Sequence, residues 1–162
     1  MTKEINNDEL IKTLARNLRA SNAHITLDRA LQGLPEDLRG KVPHGFPYSI
    51  WQLVEHIRIA QWDMIFFSMD ASHESPDWPK GYWTTDHAPA SGAAWKESLG
   101  NIDAEREAFI RFIEQPGTDL FTPLPHGEGQ TLLQEALQII DHNSYHVAEI
   151  VAIRRALGAW KA

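Results

Sequence analysis

Four stretches of the chain carry apolar residues at steps of three and four, and most of its nine prolines fall in the segments between them. That pairing leaves little besides helices. A repeat near 3.6 residues gives a helix one apolar face, whereas proline removes a helical N–H and ends the run. No long alternation of apolar and polar residues marks a strand. The first stretch runs from about Asp8 to Gln32, with Ile11, Leu14, Leu18, Ile25 and Leu31 on one stripe and Gly33 as its stop. The second starts at Ser49, where Ser49-x-x-Gln52 has the form of a capping box; its inner stripe is Leu53, Ile57, Ala60, Met64 and Phe67. The third lies near Ser91 to Glu114, carries Trp95, Leu99, Ile102, Phe109 and Ile113, and is ended by Pro116-Gly117. The fourth opens on a second capping-box pattern, Thr131-x-x-Gln134, and closes at Gly158. The expected fold is therefore all-α: a four-helix bundle in one domain, residues 1–162, with a long connection between the second and third helices. That connection, Ala71 to Ala90, contains Trp78, Tyr82 and Trp83, which are expected to fold it onto the bundle.

Charge and composition narrow the function. Fifteen Lys and Arg against 22 Asp and Glu give a net charge of −7, which argues against a partner that is a nucleic acid. With no cysteine, disulfides, thiolate ligands and a cysteine nucleophile are excluded, and any thiol chemistry must bring its sulfur from outside. The N-terminal MTKEINNDEL lacks a signal-peptide core and no apolar run is long enough for a membrane helix, so a cytoplasmic location and no membrane partner are expected. Six tryptophans make an apolar face and a homodimer plausible.

The chemistry-bearing candidates are histidines. His142 and His146 lie one helical turn apart, on the stripe of Ile139, Ile150, Ile153 and Leu157. Two imidazoles facing a core need partners, and a metal ion would use both. The competing reading is a pair of core histidines bonded to backbone, Asp or Tyr. Pairs at this spacing also arise readily by chance among eight histidines. His56, three residues after Leu53 on the second helix, is the natural third ligand. Asp141 and Glu55 precede ligand candidates and are expected to be solvated at the surface, as are His44, His73, His87 and His126 in loops. His24 is a candidate for lining a pocket, and Tyr82 and Trp83 for walling it.

Four segments together resemble the DinB/YfiT-like superfamily: Glu55-His56-Ile57-Arg58-Ile59-Ala60-Gln61-Trp62-Asp63; Trp78-Pro79-Lys80-Gly81-Tyr82-Trp83; Pro125-His126-Gly127-Glu128-Gly129-Gln130-Thr131; and Asp141-His142-Asn143-Ser144-Tyr145-His146 continuing to Trp160. The resemblance implies a four-helix bundle whose three metal-binding histidines fall on His56, His142 and His146. It also implies a divalent transition metal (Zn, Ni or Fe) and a small-molecule substrate. Characterised relatives include metal-dependent transferases and isomerases that use low-molecular-weight thiols such as bacillithiol, mycothiol or glutathione, and many members have no known activity. One departure stands out: where relatives often continue His-x-Gly-Gln, this chain has His146-Val147-Ala148-Glu149. Three histidines leave coordination positions open, as catalysis requires. A metal-dependent transferase activating a small thiol is thus expected, with a metal-dependent hydrolase or a non-enzymatic, stress-associated metal-binding bundle as alternatives. Because ligation needs neutral imidazole, metal is expected to leave as pH falls below about 6.5.

Overall fold

The computed structural model describes residues 7–20 and 23–160. Its helices are α1 (Asn7–Arg19), α2 (Leu27–Leu31), α3 (Ile50–Met69), α4 (Gly92–Ile113) and α5 (Leu132–Ala156), with 3-10 turns at Glu36–Leu38 and Lys80–Tyr82. The described residues contain no strand beyond one isolated bridge, Pro123 with Thr131. The fold is an all-α bundle, as the periodicity predicts. None of the described helices is long and apolar enough to cross a membrane.

Both capping boxes form. Ser49 Oγ accepts the Gln52 N–H and the Gln52 side chain accepts the Ser49 N–H, and Thr131 and Gln134 repeat the exchange at the start of α5. These bonds satisfy orphan donors of the first turn and fix where each helix begins. At the other end of α5, Gly158 adopts φ +70°. Its N–H bonds the Arg155 carbonyl and that of Ala159 bonds the Arg154 carbonyl, a Schellman stop that only a residue tolerant of positive φ accommodates cheaply.

The first predicted helix is a correction. Instead of running from Asp8 to Gln32 it is two helices, α1 and α2, because Thr26 is extended (φ −78°, ψ 166°) and its hydroxyl accepts the Arg29 N–H to cap a new helix. The stripe survives the break. Ile11, Leu14 and Leu18 join the C-terminal half of α3, the C-terminal part of α4 and the first half of α5 in one core cluster. Leu31 and Leu34 join the N-terminal half of α3, Trp95 and Ile102 of α4, and the last half of α5 in a second.

Long-range contacts fix the helix directions. Ser98 bonds Glu55 and Ile102 bonds Gln61, so α3 and α4 run parallel. The His146 ring lies against His56 while Asn143 bonds Gln61, so α5 runs the opposite way. Two consecutive parallel helices cannot be joined by a tight turn, and the chain after α3 must return along its whole length, roughly 30 Å. The connection does so as a strap held by side chains of α3 and of its N-cap residue Ser49. Ser49 Oγ donates to the His87 carbonyl, Gln52 Nε2 to the Thr84 carbonyl, and His56 Nδ1 to the Tyr82 carbonyl. Asp63 accepts from the Tyr82 hydroxyl and the His73 ring.

Candidate metal centre

His56 projects from the middle of α3, and His142 and His146 from one face of α5, so that the antiparallel pair carries all three rings to one point. One ring nitrogen from each can be chosen such that all three lie within 4.8 Å of one another. The Nε2 atoms of His56 and His142 are 3.1 Å apart. Two nitrogens bound to one ion at about 2.0–2.1 Å would be separated by a similar distance. His56 and His146 are buried, with relative exposures of 4% and 7%.

The other ring nitrogens decide which atoms are free to ligate. His56 Nδ1 sits 2.8 Å from the Tyr82 carbonyl. A carbonyl only accepts, so Nδ1 carries the proton and Nε2 keeps its lone pair. His146 Nδ1 lies 2.6 Å from Glu149 Oε2, which by the same argument leaves its Nε2 bare. His142 Nδ1 faces Asn143 Oδ1 at a long 3.4 Å. The Asn143 amide is itself held by Gln61 Oε1, whose Nε2 bonds the Ile102 carbonyl. Each histidine thus has an outer partner that orients it, an arrangement characteristic of metal-ligating imidazoles.

Electrostatics keep the rings neutral. Burial lowers the pKa of His142 to about 4, with His146 and His56 adding to the effect, and burial followed by His56 lowers His146 to about 4. Burial also lowers His56, against the opposing bond to Tyr82. The short His146–Glu149 contact is therefore a neutral imidazole donating Nδ1–H to a carboxylate rather than an ion pair. Burial raises the Glu149 pKa above its ordinary range. The consequence is a convergence of neutral imidazoles whose inner nitrogens meet, with His56 and His142 Nε2 at 3.1 Å, in a largely buried site. Such a group of ring nitrogens could hold a cation. The three residues fit a divalent metal, and the donor set, all imidazole, suits Zn, Ni or Fe without selecting among them.

The strap completes the wall. Trp83 stacks on His56 with centroids 3.8 Å apart and planes 4° from parallel, and Tyr48 stacks on the far face of the Trp83 arrangement at 4.0 Å. Tyr145, 65% exposed, meets His146 edge-on at 5.1 Å and stands at the rim.

Other residues depart from expectation. Glu55 is buried and not solvated; it takes the guanidinium of Arg58 and the hydroxyl of Ser98 and touches no ligand histidine. Asp141 is exposed as expected. Three of the loop histidines are not simply solvated: His73 bonds Asp63, His87 bonds Gln52 and His126 bonds the Phe67 carbonyl, whereas His44 is exposed. His24 lines a separate cavity of about 90 Å³ between α1, α2, α4 and α5, which the three clustered histidines do not line. Its ring nitrogens contact the Ile25 carbonyl and Ser144 Oγ. The Tyr82 carbonyl escapes sequence reasoning altogether, because a backbone acceptor leaves no residue-type signature.

Comparison with known families gives a match to the one described as the DinB superfamily, over residues 22–150. No curated protein matches the chain. The three-histidine cluster is compatible with metal binding in such a bundle.

Proposed function

The chain belongs to the DinB superfamily, and from that premise we propose that it is a metalloenzyme of the thiol-using transferase type, its metal held by His56, His142 and His146. The observation that carries the reading is the convergence of three neutral imidazoles, each with its outer nitrogen engaged elsewhere. A divalent ion at this point would supply acidity, converting a thiol of ordinary pKa near 8.5, or a water, to its anion at neutral pH. The protein does the rest. His56 and His146 present bare Nε2 atoms because Tyr82 and Glu149 take the opposite protons. Trp83 covers one face of His56 and excludes water there. Three protein ligands would leave room for substrate, and with no cysteine in the chain a reacting sulfur would have to come from a small thiol.

The test is metal analysis followed by a thiol panel. Protein prepared without an affinity tag and loaded with Zn, Ni or Fe is expected to hold close to one ion per chain, and His142→Ala to hold almost none. A panel of low-molecular-weight thiols with a chromogenic electrophile is expected to show metal-dependent turnover. Equal and negligible metal in wild type and His142→Ala would end the metal reading. Turnover surviving metal removal would end the mechanism. Metal-dependent ester or amide cleavage without any thiol would replace it with the hydrolytic alternative, in which water takes the place of the thiol.

A further inference from the structure

Asp63 lies on α3 seven residues, two helical turns, beyond His56 and does not touch the histidine cluster. At 8% exposure it is nonetheless one of the few buried carboxylates in the molecule, and both its oxygens are engaged by the strap. Oδ2 accepts the Tyr82 hydroxyl at 2.5 Å and Oδ1 lies 2.8 Å from His73 Nε2. Burial and Asp63 together push the Tyr82 pKa up to about 12, so the phenol stays a donor. Tyr82 is therefore pinned to α3 at two heights: by its hydroxyl at Asp63 and by its carbonyl at His56 Nδ1. The next residue, Trp83, lies flat on the His56 ring. One short piece of backbone thus sets both the tautomer and the rotation of His56, and its own position is set by Asp63.

We propose that Asp63 is a positioning residue for the metal centre: by holding the Tyr82 hydroxyl it places the carbonyl that keeps His56 in the Nδ1–H tautomer with Nε2 directed at the site. The proposal rests on the metal reading for its consequence but not for its geometry. A carbonyl held loosely would let the His56 proton move to Nε2, which removes the ligating lone pair. Packing of the strap alone would not select a tautomer.

The experiment compares Tyr82→Phe, which keeps the ring and the carbonyl, and Asp63→Asn with wild type. Ile113→Val, a buried core substitution on α4 that removes none of the hydrogen bonds holding the strap, serves as a control for general loosening. The metal-free readout is the tautomer of His56 from nitrogen-15 shifts of the imidazoles. Wild type is expected to show a single Nδ1–H form, and both strap variants a mixture. The second readout is Ni affinity by competition with a chromophoric chelator, with a fall of about ten- to a hundredfold expected in both variants, and a changed visible spectrum of the Co-loaded protein. Ile113→Val is expected to leave tautomer, affinity and spectrum as in wild type. An unchanged tautomer in Tyr82→Phe, an unchanged affinity, or an equal loss in Ile113→Val each overturns the proposal. Failure of wild type to bind any metal would overturn the proposed function instead, and the tautomer alone would then decide the role of Asp63.

Discussion

Glu135 sits in the first turns of α5 with 4% exposure. The helix N-terminus favours a carboxylate there, yet burial, reinforced by the negative charge of Asp63, raises its pKa from 4.5 to about 7. A pKa higher in the folded than in the unfolded chain means that folding favours the protonated acid. Its contribution to stability is then full below about pH 4.5, declines as pH rises, and is lost above about pH 7. At 1.36 kcal/mol per pH unit the difference amounts to about 3 kcal/mol. Glu135→Gln removes the ionisation. Urea unfolding of metal-free wild type and variant, followed by tryptophan fluorescence from pH 4.5 to 8, tests this. The stability of the variant relative to wild type is expected to climb by about 2–3 kcal/mol across that range. The depressed histidines of the cluster act in the opposite sense over much of the same window, but they are common to both proteins and cancel in the difference. A buried amide without partners adds a constant cost at every pH, so the slope and not the absolute stability carries the test. A difference that stays flat to within about 0.5 kcal/mol, or falls with pH, refutes the reasoning.

Two further outcomes follow from the same physics. His142 and His146, both lowered to about 4, favour the neutral form in the fold, so their stabilisation is present above the unfolded value near 6.5 and lost as pH falls towards 4. Bound Ni followed by equilibrium dialysis is accordingly expected to persist well below the pH of 6.5 that an ordinary histidine would suggest, and a release midpoint at pH 6–6.5 would contradict the burial argument. Arg154, 4% exposed, donates to the carbonyls of Ala30, Gln32 and Ala159 and so ties α2 and the end of the chain to α5. Arg154→Met keeps the apolar stem but strands those acceptors and is expected to cost about 2–4 kcal/mol in urea unfolding; a loss under 0.5 kcal/mol would show that water replaces the guanidinium.

What the sequence discloses about this molecule follows the range of the forces involved. Capping boxes at Ser49 and Thr131 are exchanges between residues three apart, and the apolar stripes repeat every turn, so helix starts and inner faces can be read locally. The break at Thr26 could not be, because the stripe continues on both sides of it and a lone threonine cap is a weak signal against that rhythm. The histidine cluster was legible because its residues share helix faces, two of them a single turn apart. Its supports were not. Tyr82 reaches His56 through a carbonyl, and Glu55 is buried where Ser98 of the parallel helix meets it. Both depend on α3 and α4 running the same way, a fact of topology that no local pattern contains. That topology also explains why the long connection holds functional residues. A parallel pair demands a return path along α3, the return path needs anchors, and α3 supplies them from Ser49 to Asp63 with His56 in between. Once the strap is anchored on both sides of His56, the ring has nowhere to turn. The orientation of the His56 ring is thereby tied to the way the bundle is connected, and it should be sensitive to substitutions two turns away that leave all three histidines in place.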